Sequence, residues 1–117
     1  MDPLKRTQTN DDMARLLLVI ERLRVLDREV PAQVVSCFLY VASHNPCHKQ
    51  ALEEDLELTT ASGSRNTEWL TTKNRLRKPG LGLINKEYDP SNKRRLLLSL
   101  TEKGEALVHD LYCDLYD

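Results

Sequence analysis

The stretch Asp89–Gly104, DPSNKRRLLLSLTEKG, contains a turn, three consecutive cations, a leucine run and the start of a helix. Asp, Pro, Ser and Asn favour a tight turn, so the segments on either side, LINKEY at 83–88 and RRLLLSL at 94–100, are predicted to form a β-hairpin. Thr101 then follows as a candidate N-cap. The stretch therefore predicts a hairpin with three positive charges at its tip, leading directly into a last helix.

Positive charge is concentrated in the part of the chain that contains this hairpin. The whole chain has a formal net charge of −1, but the segment from Ser62 to Arg95 contains nine basic and only three acidic residues. The remaining residues carry eight basic and fifteen acidic side chains. Nucleic-acid binding depends on where charges lie rather than on their sum. Segment 62–95 therefore indicates a face for an anionic partner, the alternative being an ordinary solvated surface.

Two helices are predicted near the start of the chain. Apolar residues recur at three- and four-residue steps across 11–26, which is typical of an amphipathic helix, and Asp11 or Asp12 is the predicted cap. A second helix is predicted to begin at Pro31, where the missing N–H costs nothing, and to end before Asn45.

Two further helices are predicted before the hairpin. A short third helix fits 49–56, and the fourth begins within 59–64, where Thr and Ser side chains offer several N-caps in succession. The fourth helix is predicted to continue to Leu76 and to stop at 78–80, Lys-Pro-Gly.

Composition excludes several classes of protein. A length of 117 residues, 40% of them hydrophobic and 30% charged, fits one globular domain. No apolar run approaches the ~20 residues of a membrane span, and the polar start MDPLKRTQTNDD lacks the hydrophobic segment of a secretory signal. We therefore expect a cytoplasmic protein with no membrane partner.

Catalytic and metal-binding signals are weak. The three cysteines, Cys37, Cys47 and Cys113, are an odd number in separate contexts, so reduced thiols are expected. Segment 44–48, HNPCH, lacks the paired ligand spacing of a zinc module and is interpreted as a loop joining two helices. No histidine stands in a recognisable arrangement with a nucleophile, and no glycine-rich phosphate loop is present. We expect neither an enzyme nor a bound metal or cofactor.

The predicted order of elements is that of a winged helix-turn-helix, mainly α with a small β-hairpin wing. We expect a single domain over 1–117, with dimerisation helices at about 11–27 and 101–116 and a DNA-binding lobe at about 48–100. The first and last helices carry leucine-rich stripes that a monomer of this size could hardly bury. A homodimer is therefore predicted.

The sequence also resembles the MarR-type transcriptional regulators. The resemblance is carried by VPAQVVSCFLYVAS at 30–43, ALEEDLELTTASGSRN at 51–66 and GLINKEYDPSNKRRLLLSLTEKGEAL at 82–107. It implies that Ser64 and Arg65 contact DNA from the recognition helix.

The wing is the most specific part of the resemblance, which implies that Arg94 is the wing-tip arginine. This chain departs from the family at two places. Asn92 replaces the second wing acid, so a neutral acceptor would orient Arg94. The interval from Ser64 to Gly82 is longer than is typical, which implies an extended fourth helix or an extra loop.

The predicted DNA-binding residues lie in the fourth helix, in the segment after it and in the wing. The major groove, about 12 Å wide, admits one helix, and a hairpin reaches the flanking backbone or the minor groove, whose negative potential attracts arginine. The predicted set is Thr60, Ser62, Ser64, Arg65, Asn66, Lys73, Arg75, Lys86, Asn92, Lys93, Arg94 and Arg95.

These features predict a transcriptional regulator that binds double-stranded DNA sequence-specifically as a homodimer. Two alternatives remain open: a winged-helix module that holds an acidic protein partner, and a DNA-binding protein of replication or packaging. The family resemblance also implies control by a small-molecule effector or by cysteine oxidation, and the residues themselves decide neither.

Overall fold

The computed structural model describes residues 6–72 and 79–117. Within them the chain forms five α-helices and one three-stranded antiparallel sheet, which confirms the predicted fold class. The elements are α1 (Asp11–Leu26), α2 (Ala32–Ser43), β1 (Cys47–His48), α3 (Lys49–Asp55), α4 (Thr60–Leu70), β2 (Ile84–Asp89), β3 (Asn92–Leu100) and α5 (Glu102–Tyr116).

Side-chain caps fix the starts of three helices. Thr59 caps α4 by accepting from the N–H of Ser62 at 3.0 Å, and Thr101 caps α5 as predicted. The predicted cap of α1 is wrong, because the side chain of Asn10 accepts from the N–H of Met13 at 3.1 Å. Asn10 has the extended backbone that a cap requires, whereas Asp11 already belongs to the first helical turn.

Helix α4 ends at Leu70, earlier than the prediction of a helix continuing to Leu76. The segment that leads into β2 supplies hydrogen bonds to the last carbonyl groups of α4. The N–H of Leu81 donates to the carbonyl of Trp69 at 2.9 Å, and the N–H of Leu83 donates to the carbonyl of Leu70 at 2.7 Å. These bonds replace the intrahelical partners that a helix end lacks. Leu76 and Lys78 lie outside the described residues.

The sheet has the order β1-β3-β2, and β1 was not predicted. Cys47 pairs with Leu98 and His48 pairs with Leu97, so the interpretation of segment 44–48 as a loop is wrong at its last two residues. A two-residue strand has too little sequence to carry a periodic signal, and only its partner strand defines it.

The core lies between α2 and the sheet. Phe38 of α2, Leu52 of α3, Leu70 of α4 and Leu98 of β3 are all fully buried. Trp69 packs partly buried against this cluster. Each helix and the sheet therefore contribute to one hydrophobic centre, which holds α4 and the hairpin in fixed relation.

Helices α1 and α5 pack against each other at one end of the molecule. Val19 and Leu23 of α1 are buried, as are Leu107 and Leu111 of α5. Arg22 of α1 donates to the carboxylate of Asp114 through Nε and, at 3.0 Å, through Nη2. In the part of the chain that the structure describes, no helix is both long and apolar enough to span a bilayer.

Candidate nucleic-acid interface

Helix α4 has one packed face and one solvent face. Thr60 and Arg65 are exposed and Ser64 is partly exposed, so a strip of short polar side chains and one guanidinium faces solvent. The packed face follows three- and four-residue steps and comprises Gly63, Asn66, Thr67 and Leu70.

Asn66 thus lies on the packed face of α4, although it was predicted among the DNA-binding residues. Its Nδ2 donates to Gln33 Oε1 at 2.8 Å, and Ser62 Oγ donates to the same oxygen at 3.2 Å. Gln33 lies in the first turn of α2, so these bonds join α4 to α2. Sequence reasoning missed Gln33, but the three-residue step from Gly63 to Asn66 could have indicated that Asn66 is buried.

Lys86 is more buried than the exposed cations Arg65, Arg94 and Arg95. It is half-buried on β2, and its Nζ donates to Thr67 Oγ1 at 3.0 Å. Thr67 Oγ1 in turn donates to the carbonyl of Gly63 at 2.8 Å. Lys86 therefore links the hairpin to α4 in this structure.

The three consecutive cations lie in an irregular part of the hairpin. Regular pairing runs to Tyr88 opposite Leu96, and the next pair is Asp89 with Asn92. Between these two pairs β3 has three additional residues, 93–95, whereas β2 has none. The three residues form a bulge, which bends a strand and redirects its side chains. All three are exposed. They lie in this bulge at the turn end of the hairpin, separated from the turn at 90–91 by Asn92 alone.

Polar side chains shape the bulge and anchor the turn. Asn92 Oδ1 accepts from the backbone N–H of Arg94 at 3.1 Å, so Asn92 orients the main chain and not the guanidinium. Asp89 Oδ1 accepts from the N–H of Ser91 at 2.9 Å, and Asp89 Oδ2 lies 2.7 Å from His48 Nε2. The hydrogen bond from His48 lowers the pKa of Asp89. The turn is thereby tied to β1, directly before α3.

A groove of about 260 Å³ connects the start of α4 with the bulge. Thr60 of α4, Tyr88 of β2, and Arg94 and Arg95 of β3 are among the residues that line it. The prediction requires the fourth helix and the wing cations to lie on one side of the molecule. The groove brings Thr60 and the two arginines together in this way.

The charge of the groove comes from its arginines. Lys49 and Glu53 of α3 also line it and neutralise each other, because Lys49 Nζ donates to the Glu53 carboxylate. Within residues 6–72 and 79–117, no acidic side chain lies within 4.0 Å of the guanidinium of Arg65, Arg94 or Arg95. These three charges are therefore available to an anionic partner.

Two predicted residues, Lys73 and Arg75, lie outside the described residues. In the described ranges, no group of three His, Cys, Asp or Glu side chains is arranged to hold a metal ion. All three cysteines are free thiols, and burial raises the pKa of Cys37 to about 11. Burial also raises the pKa of Cys47, so neither thiol is activated as a thiolate at neutral pH.

Several solved structures have a fold similar to that of this chain. No protein-family model matches the sequence, and no curated protein matches it either. The structure is similar to that of MarR (TM-score 0.59, 21% identity, covering 87% of this chain and 73% of that chain). A mutant MarR from E. coli complexed with operator DNA matches with a TM-score of 0.63 and 18% identity, covering 91% of this chain and 69% of that chain.

RV1404 from Mycobacterium tuberculosis is also similar, with a TM-score of 0.63 and 20% identity, covering 97% of this chain and 78% of that chain. The chain therefore has a MarR-type winged-helix fold. The elements that form the groove, α3, α4 and the hairpin, belong to this fold.

Proposed function

We propose that this protein is a transcriptional regulator that binds double-stranded DNA sequence-specifically as a homodimer. The observation that carries the proposal is the groove shared by Thr60, Arg94 and Arg95, since it joins the start of α4 to the wing cations on one face. The mutant MarR from E. coli has the same fold and is complexed with operator DNA, which supports a duplex as the partner.

The two parts of this face have different tasks. Helix α4 enters the major groove, where Ser64 and Arg65 reach base edges and give sequence preference. The bulge carrying Lys93, Arg94 and Arg95 follows the flanking backbone or enters the minor groove. Ser62 and Asn66 act indirectly, because their bonds to Gln33 hold α4 at the correct angle.

The proposed dimer uses the exposed apolar face of α1. Met13, Leu16 and Leu17 are each at least half exposed, although they belong to the stripe that an amphipathic helix normally buries. Tyr112 and Tyr116 of α5 are exposed as well. Exposed apolar side chains on these two helices support association with a second copy, since exposed apolar patches commonly mark interaction sites. A two-fold dimer would read two half-sites roughly 10 base pairs apart.

Selection of bound duplexes from a random pool tests the proposal, because it measures binding, sequence preference and half-site symmetry together. We expect an inverted repeat to be enriched. Affinity for the selected duplex should fall steeply with salt, as expected when phosphate contacts release counterions.

The double variant Arg65→Ala, Arg94→Ala should lose specific binding. The matched control is Arg28→Ala, since Arg28 is exposed in the connection between α1 and α2. If the double variant binds the selected duplex as tightly as the control does, the assigned face is wrong.

A further inference from the structure

Tyr88 is an exposed aromatic residue. Neither packing in the core nor pairing of the hairpin strands explains why an aromatic side chain occupies this position. Its side chain is 65% exposed, and it occupies the last regular pair before the bulge, opposite Leu96. It borders the groove together with Thr60, Arg94 and Arg95. Tyrosine offers a rigid apolar ring and a hydroxyl that donates a hydrogen bond, a combination suited to a surface that is half apolar and half polar.

The groove around Tyr88 is suited to an oxyanion. Among its lining residues the charges of Lys49 and Glu53 cancel, so Arg94 and Arg95 leave two uncancelled positive charges. Thr60 also lines the groove, and its hydroxyl adds a neutral donor. A neutral ligand would leave both guanidinium groups uncompensated, whereas a phosphate accepts hydrogen bonds from guanidinium and hydroxyl groups alike.

We propose that this groove binds one phosphodiester group of the DNA backbone, with Tyr88 donating its hydroxyl hydrogen to the phosphate that Arg94 and Arg95 neutralise. Tyr88 thereby fixes the position of the wing along the duplex and carries no sequence information, as is general for backbone contacts. This inference rests on the proposed function, because it names the contact through which the wing holds DNA.

The salt dependence of binding separates the roles of Tyr88 and Arg94. For the duplex selected from the random pool, Tyr88→Phe should weaken binding about tenfold, since a hydrogen bond to a charged group is lost. The slope of log affinity against log salt should stay unchanged, because Tyr88 releases no counterion. Arg94→Gln should reduce the same slope by about one. Arg28→Ala is the control for a substitution away from the groove, since Arg28 is exposed in the connection between α1 and α2.

Single methylphosphonate substitutions along the duplex then locate the contact. At one position, removing the phosphate charge should abolish the difference between wild type and Tyr88→Phe, and at the other positions the difference should persist. The inference is overturned if wild type binds duplex and Tyr88→Phe binds equally well, or if no position removes the difference.

Poly-glutamate provides the last arm of the experiment. The wild-type protein could bind poly-glutamate tightly, with Tyr88→Phe weakening that binding by the same factor as it weakens duplex binding. That result would assign the groove to protein carboxylates and overturn the inference. Failure of the wild-type protein to bind any duplex would instead overturn the proposed function, and the inference with it. An unchanged melting temperature for Tyr88→Phe shows that folding is intact.

Discussion

The carboxylate of Glu53 lies directly against the backbone of Gly63: a Cβ atom on Gly63 would lie 2.2 Å from Glu53 Oε2 and 2.6 Å from Glu53 Cγ. Helices α3 and α4 therefore contact each other at Gly63 of α4, which has no side chain. Glu53 also accepts a hydrogen bond from Lys49, and both residues line the groove together with Thr60.

Gly63→Ala should destabilise the protein by about 1–3 kcal/mol, the usual cost of inserting a methyl group into a packed contact. Alanine gains about 1 kcal/mol in helix propensity, so the clash must exceed that gain. Urea unfolding measures the difference. Ser64→Ala is the control on the solvent side of α4 and should change stability by less than about 0.5 kcal/mol. A Gly63→Ala protein as stable as wild type would contradict the close contact.

The ion pair between Lys49 and Glu53 should behave as a buried pair, because the side chains are only 7% and 11% exposed. Lys49→Met leaves an uncompensated carboxylate and should cost about 3–5 kcal/mol, whereas adding Glu53→Leu should restore most of that loss. A double-mutant cycle in urea measures the coupling. Near-additive effects of the two substitutions would show that the pair is solvated.

Acid should weaken the anchor of the hairpin turn at Asp89. The pKa of Asp89 is lowered in the folded state, so its stabilising contribution is complete above its unfolded pKa and is lost as the pH falls through the folded value. The stability difference between wild type and Asp89→Asn should therefore be largest near neutral pH and shrink below about pH 4. Urea unfolding across that range tests this, and a constant difference would contradict the role of the carboxylate.

Leu17→Glu should dissociate the proposed dimer. The side chain is 60% exposed in one chain, so the substitution leaves the monomer intact but introduces a charge into the apolar interface. We expect the dissociation constant to rise at least about a hundredfold, equivalent to roughly 3 kcal/mol. Sedimentation equilibrium measures it, with Leu17→Met as the apolar control. If the wild-type protein is monomeric at every concentration, the dimer proposal fails.

Arg65 and Asn66 are sequence neighbours with opposite predicted behaviour. Arg65→Ala should weaken binding to the selected duplex by about 1–3 kcal/mol and leave the melting temperature unchanged, since Arg65 is solvent-exposed. Asn66→Ala removes the bond to Gln33 and should lower stability by about 1–3 kcal/mol. Thermal melting and duplex titration of both variants separate the roles, and equal melting temperatures would contradict the assignment of Asn66.

Sequence patterns located the helices well where the signal is local. Caps act within three residues and amphipathic periodicity repeats within four, so α2, α3 and α5 begin within one residue of their predicted starts. The hairpin followed from the turn chemistry of Asp89, Pro90 and Ser91. The site residues were predicted from the charge of the segment together with the family resemblance, which implied Ser64, Arg65 and Arg94, and neither gives the direction of any side chain.

Predictions failed where distant segments decide the outcome. The end of α4 depends on Leu81 and Leu83, whose N–H groups satisfy its last carbonyls. The strand at Cys47 exists because Leu98, far along the chain, offers its backbone. The packed face of α4 contacts Gln33 and Glu53 of other helices, so α4 by itself did not identify the partner of Asn66.

The amino-acid sequence by itself determined a winged helix-turn-helix with a basic segment, because helix caps, periodicity and turn preferences act between residues close together in the chain. Only the tertiary structure decided that Lys93, Arg94 and Arg95 leave the ladder as a bulge and that Tyr88 joins Thr60 in one groove. Strand register and the convergence of three elements depend on contacts between distant residues, which arise only when the whole chain packs around its core.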